Sequence, residues 1–375
     1  MLDKLLPGQY SQLTGKNRKI ALLYANVFLF IFSALIILFS MKMLQDRNEV
    51  NQNRALRMSQ TGIAAGLTPP RPFPRSTYWD DVKIGVYLND IEEISIKDNF
   101  WTAQFYIWFI WKGDPNLDPG GKFNIIDGLI RNRKLITASL NAKGMGFNYQ
   151  RYLVYVRFTK FYDVRRLPVD SQMLNIYVED STRDGSKLRF IPDSASNYST
   201  RMAIPGYQMV GFTQVSKPHA YRSNYSDPQE GSQAGAVFSQ YILGLMIKRN
   251  GYGFYLKIFL ALFSSELFVL CSFFFKPNEG MRVAVSAGAF FGAVSNNYVV
   301  NSLLPPSGSF GLVDYVSGVG LFMIFSCLVL TLLSNYYFSN KEEKELSEVI
   351  DKLMFYIMAT GCLVANIVIP LCARD

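Results

Sequence analysis

Cysteine and histidine are scarce in this sequence, and their positions exclude several kinds of protein. The four cysteines, Cys271, Cys327, Cys362 and Cys372, all lie in or at the end of apolar segments in the C-terminal third. The polar middle of the chain has none, so a packed core rather than a disulfide has to stabilise it. The spacing of the four cysteines offers no metal site.

Catalytic signatures are missing as well. The sequence has no G-x-S-x-G, H-E-x-x-H or P-loop motif, and its one histidine, His219, has no evident partner. The formal net charge is +9, but the Lys and Arg residues are scattered, and many lie at the edges of apolar runs. We therefore expect neither an enzyme nor a nucleic-acid-binding protein, and no cofactor.

Long apolar runs are the main positive feature. Ile20–Met41 is nearly uncharged and long enough to span a membrane, and four more runs follow at about 253–275, 283–303, 313–337 and 352–371. The first run is either a signal peptide or a retained anchor. We expect a retained anchor that spans residues 20–42. The run has a long N-terminal flank, it is longer than a typical signal-peptide core, and it ends in the bulky "FSMKML".

The charges around the first run predict its orientation. Lys16, Arg18 and Lys19 precede it and favour a cytoplasmic N-terminal segment, 1–19, although Lys42 and Arg47 beyond it weaken this preference. The polar middle then lies outside. The connections "FKPNEGMR" and "SNKEEKELSEVIDK" are cytoplasmic, and the C-terminus is outside.

The polar middle divides into a linker and a β-rich domain. Residues 43–79 are polar and end in "TPPRPFPRST", which is typical of a semi-rigid, proline-rich linker. Residues 80–249 contain short alternating segments such as "VKIGVYL", "YLVYVRF" and "MLNIYV", separated by turn residues. This pattern predicts an antiparallel β-sandwich, followed at 250–375 by a domain of four membrane helices.

The second of these four spans is unusually polar. Met281–Leu304 carries three Ser and three Asn among small residues, and such side chains in a span face protein or water. Six residues spaced by three or four form one stripe: Ala284, Gly288, Phe291, Ser295, Tyr298 and Ser302. The stripe is either a face for close helix association or a pore lining in which Phe291 forms a hydrophobic gate.

These features together resemble the pentameric ligand-gated ion channels, the Cys-loop receptors and their prokaryotic relatives. The resemblance runs from about Val82 to the C-terminus. "GVYLNDIEEISIKDNFWTAQFYIWFIWKG" is similar to the first two strands of the family, and "FYDVRRLPVDSQMLNIY" to its signature loop. "LMIKRN" is similar to the entry into the first channel helix, "EGMRVAVS" through "VVNSLLP" to the pore helix, and "ANIVIP" to the last helix.

The resemblance implies a homopentamer around a central pore, lined by the helix at about 281–304. It implies an ion channel opened by an external ligand or another stimulus. A non-conducting membrane receptor of the same fold is the alternative. A transporter would show repeated span patterns, whereas the four final spans are dissimilar.

In the signature loop, Lys160 and Leu174 occupy the positions where animal receptors have two bridging cysteines. The resemblance is therefore closest to prokaryotic members. Together with a cytoplasmic loop of only about 15 residues, it implies a multi-pass protein of a bacterial inner membrane, with the β-domain outside or periplasmic.

The loop keeps a proline and a carboxylate at its tip. Pro168 fixes the backbone there. The resemblance implies that Asp170 pairs with Arg249, with Asp98 as a third partner, and that this cluster transmits motion to the pore helices. A plain structural ion pair is the alternative.

Selectivity and ligand binding are less strongly encoded. Glu279, before the pore helix, is expected to form a carboxylate ring that favours permeating inorganic cations. Trp111 is expected to face the core, so Tyr106 and Trp108 face the neighbouring subunit. The predicted ligand-binding residues are Tyr106, Trp108, His219, Tyr221 and Tyr225. They recognise a small-molecule agonist or only pack a subunit interface, and protons are another possible stimulus.

Two features depart from the family. Glu266 lies near the middle of a span, where a carboxyl group is either functional or turned inward and satisfied or protonated. The N-terminal span is additional, and we expect it at the outer rim of each subunit, against the last helix.

Overall fold

The computed structural model describes residue 10 and residues 13–61, 71–140, 146–221, 236–306, 308–341 and 343–375. Within these ranges, five helices are long and apolar enough to cross a membrane, as the sequence predicts. They are α1 (Gly15–Met58), α2 (Gly253–Leu270), α3 (Met281–Ser302), α4 (Leu312–Asn335) and α5 (Lys344–Ala373). Shorter turns follow α2, at Cys271–Phe274, and α4, at Tyr336–Asn340.

Ten strands occupy the described residues in the middle of the chain. They are β1 (Asp80–Ser95), β2 (Phe100–Trp111), β3 (Phe123–Ile126), β4 (Gly128–Ser139), β5 (Asn148–Thr159), β6 (Ser171–Asp180), β7 (Leu188–Pro192), β8 (Asn197–Tyr198), β9 (Tyr207–Ala220) and β10 (Val237–Arg249). Two single turns, Pro115–Leu117 and Pro119–Lys122, lie between β2 and β3.

The strands form two sheets. One has the order β4-β5-β2-β1-β7, with β8 also paired to β1, and the other has the order β3-β6-β10-β9. Buried and more exposed residues alternate along most of β2 and all of β5, which produces the apolar face that sequence periodicity predicts. Phe109 of one sheet meets Phe123 of the other with ring centroids 5.4 Å apart, so the two sheets share a core.

The chain divides into two compact units. The first contains the described residues up to Asn48, the loop Val164–Asp170, and Gly251–Asp375. The second contains Glu49–Asp163 and Ser171–Asn250, without the residues that are not described. The helical unit therefore includes seven residues that the chain places between two strands of the sandwich.

Helix α1 extends well into the predicted linker. The sequence analysis ends the anchor at residue 42, but the helix continues to Met58. Residues 43–58 contain no proline or glycine and many good helix formers, and polarity alone does not end a helix. Met43, Asp46, Val50 and Arg54 recur at helical spacing and are all buried, so one side of this segment packs against the rest of the protein. The first part of the predicted linker, 43–58, is therefore helical.

Candidate functional site

The Val164–Asp170 loop belongs to the helical unit and contacts several of its helices. Its own backbone is compact, because Leu167 N donates to Val164 O at 3.0 Å and Val169 N donates to Arg166 O at 3.0 Å. The Leu167–Pro168 peptide bond is cis. Two adjacent arginines, Arg165 and Arg166, then tie this loop to three different helices.

Arg165 contacts the link between α3 and α4 through its backbone. The Arg165 carbonyl accepts a hydrogen bond from Leu312 N at 2.7 Å, and Leu312 is the first residue of α4. Gly311 approaches so closely that a β carbon there would lie 2.7 Å from the Arg165 oxygen. The start of α4 is fixed in turn, because Asp314 Oδ2 accepts a hydrogen bond from Gly311 N at 2.8 Å. The loop therefore meets α4 backbone to backbone.

The side chain of Arg165 contacts the N-terminal helix. Its Nη1 lies 3.0 Å from Oδ1 of Asp46, a fully buried residue of α1, and Lys42 Nζ lies 3.3 Å from the same oxygen. A charge-assisted hydrogen bond between partly buried groups is stronger than a surface ion pair. Helix α1 is thereby joined to the Val164–Asp170 loop.

Arg166 contacts the end of the last helix. Its side chain is only 2% exposed. Nη1 donates to the Ala373 carbonyl at 3.3 Å and to a carboxylate oxygen of Asp375. A buried guanidinium needs such acceptors, because an unpaired buried charge is strongly unfavourable. The loop thus holds the C-terminal end of α5.

A cavity of about 430 Å³ lies beside these contacts. Val164 lines one side, and the link between α3 and α4, including Leu304, Pro305 and Phe310, lines the rest. The link between α3 and α4 is therefore not packed against the loop along its whole length.

The predicted coupling residues belong to both units. Asp170 is buried in the helical unit, whereas Arg249 belongs to the sandwich unit, where its guanidinium lies over the Tyr207 ring, 4.7 Å from the centroid. Asp98 is exposed, and its Oδ2 accepts a hydrogen bond from Ser95 Oγ at 2.6 Å. The pairing of these three residues stays a prediction. The contacts of the two loop arginines were not predicted from the sequence.

Helix α3 has two different faces. All six residues of the predicted stripe are exposed on the single chain, with Phe291 70% and Tyr298 79% exposed. The opposite face is buried and consists of Arg282, Val285, Ser286, Ala289, Ala293, Asn296 and Val300. The polar stripe therefore points away from the bundle that the other helices form.

The base of α3 carries a buried ion pair. The Arg282 guanidinium is 0% exposed and forms two hydrogen bonds of 2.9 Å each to the Asp351 carboxylate of α5. Ser334 of α4 donates to the same carboxylate at 2.9 Å and lies 2.8 Å from Ser347 Oγ. Arg282 thus points into the bundle, whereas Glu279, in the turn before α3, is exposed.

A second buried polar cluster surrounds Glu266 of α2. Its Oε2 accepts hydrogen bonds from Asn366 Nδ2 at 2.9 Å and from Cys362 Sγ at 3.0 Å, both on α5. Among the described residues, its Oε1 has no hydrogen-bond partner. The carboxyl group therefore faces inward and is half satisfied, which is close to one of the two alternatives considered for it.

The N-terminal helix lies against two helices. Phe32 of α1 meets Phe322 of α4 with centroids 5.7 Å apart, and Phe39 stacks on Tyr315 of α4 at 4.5 Å. The Phe32 ring also covers Gly361 of α5, where a β carbon would come within 2.9 Å of it. The expected contact with the last helix is present, but the aromatic contacts are with α4.

In the sandwich unit, the predicted aromatic residues are held by polar partners. Trp111 is buried, as alternation along β2 predicts. Trp108 is half-buried, and its Nε1 donates to Asp193 Oδ2 at 2.8 Å. Tyr106 lies beneath the Arg151 guanidinium, 5.8 Å from the ring centroid. Tyr225, another predicted ligand-binding residue, lies outside the described residues.

His219 and Tyr221 converge on a carboxylate that the sequence analysis missed. Glu179 of β6 is only 2% exposed. Its Oε1 lies 2.6 Å from His219 Nδ1 and accepts from Gln240 Nε2 at 2.7 Å, while its Oε2 accepts from Tyr221 Oη at 2.7 Å. The sequence offered one signal for this site, an acidic residue near the end of an apolar strand. Its partners could not be inferred from that signal, because they come from β9, β10 and the residue after β9.

No protein-family model matches the chain, and comparison with curated proteins gives no match.

Proposed function

We propose that five copies of this chain form a cation channel whose pore opens in response to a stimulus at the β-sandwich. One observation carries the proposal. The Val164–Asp170 loop lies between two strands in sequence, yet it belongs to the helical unit and is bonded to the first residue of α4. A change at this loop therefore reaches the link that follows the polar helix α3.

The contact between Arg165 and Leu312 suits transmission of a displacement. It joins two backbones, so it has no side-chain rotamers to absorb the motion. The Asp314 cap holds Gly311 at the start of α4. A shift of the loop would therefore move the α3–α4 link as a unit and tilt α3.

The stripe on α3 supports a pore lining. In a ring of five subunits, the exposed face of α3 would turn toward the axis, and the Phe291 side chains would form a hydrophobic constriction. The buried opposite face keeps the helix anchored in its own bundle. Rotation or tilt of α3 would widen or close the constriction.

The charges at the base of α3 favour cations. Asp351 neutralises Arg282 inside the bundle through two hydrogen bonds. Glu279 remains exposed near the same end. A ring of Glu279 carboxylates would then dominate the charge at that mouth of the pore.

The Glu179 cluster supports a site for the stimulus in the sandwich. A buried carboxylate with His219 and Tyr221 around it suits a small cationic agonist or a proton. Both stimuli would change the charge balance around Glu179.

Recording from the purified protein in a planar bilayer tests the proposal. Under a KCl gradient, the outer solution is stepped through pH and a panel of small amines and amino acids. A reversal potential near that of K⁺ is expected.

Phe291→Ala is expected to raise the basal current several-fold, because it removes the constriction. Phe290→Ala, the adjacent substitution away from the stripe, is the matched control, and a closed baseline in Phe291→Ala would count against the gate.

A non-conducting receptor is the second candidate. The observation that favours it is the size of the exposed Phe291 and Tyr298 side chains, which five subunits would bring together. Assembled pentamers that stay silent under every condition, even with Phe291→Ala, would support it.

A further inference from the structure

A cavity of about 270 Å³ lies inside the sandwich unit, where the end of α1 meets the strands. Trp101, Phe158 and Phe161 form an apolar part of its wall. Arg57 and Lys160 bring two cationic groups to the same cavity. A cavity that combines aromatic walls with convergent polar groups is typical of a small-molecule site.

The Arg57 guanidinium has spare hydrogen-bonding capacity. Its Nη1 donates to Asn175 Oδ1 at 3.3 Å. Its Nε is buried and, within the described ranges, has no partner. An unpaired buried donor on a charged group is unfavourable, so an acceptor in the cavity would be stabilised.

Lys160 adds a second incompletely satisfied cation. Its ammonium group lies 5.3 Å from the centroid of the Tyr162 ring, a contact that supplies no carboxylate. Burial, together with the nearby Arg57 and Arg54 charges, lowers the pKa of Lys160 to about 7, while Asp163 acts in the opposite direction. Burial is the main cause of this lowered pKa, and the repulsion from Arg57 and Arg54 adds to it.

Two further cations lie close to the cavity. Arg54 donates to Ser171 Oγ at 2.7 Å and to the Ser171 carbonyl. Lys217 Nζ donates to the Arg57 carbonyl at 2.8 Å, and burial together with the Arg57 charge lowers the pKa of Lys217. Both groups add positive potential around Arg57.

Among the described residues that line the cavity, carboxylates are fewer than cations. Asp127 lines the cavity, and Asp163 lies near Lys160. Tyr177 also lines the cavity, and burial raises the pKa of this phenol, which keeps it neutral. Among the described residues that line the cavity, two cations, Arg57 and Lys160, therefore face one carboxylate, Asp127.

We propose that this cavity binds the carboxylate of a small organic acid, with the carboxylate at Arg57 and Lys160 and the apolar body against Trp101 and Phe158. A guanidinium presents paired donors that match a carboxylate, and the ammonium group adds a point charge. The aromatic walls favour an acid with an apolar body over an inorganic anion. This site does not depend on the channel function.

The lowered pKa of Lys160 makes the binding depend on pH. The free protein protonates Lys160 only as pH falls through about 7, whereas a small carboxylic acid stays ionised above about pH 5. The protonated fraction rises from about 3% at pH 8.5 to about 90% at pH 6, so affinity is expected to rise by up to about 30-fold.

Calorimetric titration of the full-length protein in detergent with sodium benzoate tests the proposal. We expect one site per chain, stronger binding at about pH 6 than at about pH 8.5, and no binding of the uncharged probe benzyl alcohol. Arg57→Gln is expected to weaken binding by about 10-fold or more, because a charge-assisted hydrogen bond is lost. Lys134→Met, at an exposed lysine of β4, is the matched control and is expected to bind like wild type.

Two further variants keep the test decisive if Arg57→Gln does not fold. Lys160→Met is expected to remove the pH dependence, and Lys160→Arg to retain binding at both pH values, because arginine stays charged. Absence of benzoate binding to the wild type at about pH 6 would overturn the proposal. Binding of inorganic phosphate without benzoate would overturn the carboxylate class, and equal binding by Arg57→Gln would overturn the site.

Discussion

Gly311→Ala tests the contact between the Val164–Asp170 loop and the start of α4. A β carbon at residue 311 would lie 2.7 Å from the Arg165 carbonyl oxygen and 2.9 Å from its Cα. Both are backbone atoms, so no side-chain rotation can relieve the overlap. The φ of Gly311 is −135°, an extended conformation that alanine adopts readily. The effect of the substitution is therefore steric.

The magnitude follows from two contributions. Overpacking a close contact costs about 1–3 kcal/mol. Separation of the two segments also weakens the 2.7 Å hydrogen bond from Leu312 N to Arg165 O, which contributes about 1 kcal/mol. Gly311→Ala is therefore expected to lower the free energy of unfolding by about 2–4 kcal/mol.

Denaturation of the detergent-solubilised protein measures this loss, with the folded fraction followed by size-exclusion chromatography. Gly308→Ala is the matched control, because a β carbon there meets no described atom within 4 Å. In bilayer recordings, Gly311→Ala is also expected to reduce the response to a stimulus, whereas Gly308→Ala is not. Equal stability of the two variants would refute the steric argument, and a normal response of a destabilised Gly311→Ala would refute transmission through this contact.

Three other substitutions test separate parts of the structure. Asp351→Leu removes the carboxylate that pairs with the buried Arg282 and is expected to lower the free energy of unfolding by about 3–5 kcal/mol. Adding Arg282→Met should recover most of this loss in the same denaturation assay. Additive losses in the double variant would contradict the pairing. Asp46→Asn and Arg165→Gln should show a coupling energy of about 1 kcal/mol in a double-mutant cycle, and zero coupling would mean that the ion pair contributes nothing. Glu179→Gln is expected to abolish the response to a cationic agonist in bilayer recordings while pentamers still assemble; an unchanged response would remove Glu179 from the stimulus site.

Much of the fold follows from local pattern. The apolar runs predict α1 to α5 because a span needs about 20 apolar residues. Alternation predicts the strands, and it also predicts that Trp111 is buried while Trp108 is less so. The spacing of Phe291 and Tyr298 predicts that they share a face, and both are exposed. Each of these features depends on residues close together in sequence.

The candidate site depends on distant residues and was predicted less well. Arg165 and Asp46 are 119 positions apart, and Arg166 and Asp375 are 209 apart. No periodicity links such pairs, so the sequence shows the charges without their partners. The continuation of α1 to Met58 was missed because polarity was read as the end of the helix.

The ion pair between Arg282 and Asp351 has a consequence for biosynthesis. The two residues are 69 positions apart, so α3 leaves the ribosome before its partner on α5 has been made. A buried arginine without a carboxylate is strongly unfavourable. The base of α3 therefore cannot reach its final position until α5 is inserted, and a chain truncated before Asp351 would present an unpaired charge to the quality-control machinery of the membrane. The last helix is therefore expected to complete the fold of the helical unit, because it supplies the carboxylate that Arg282 needs.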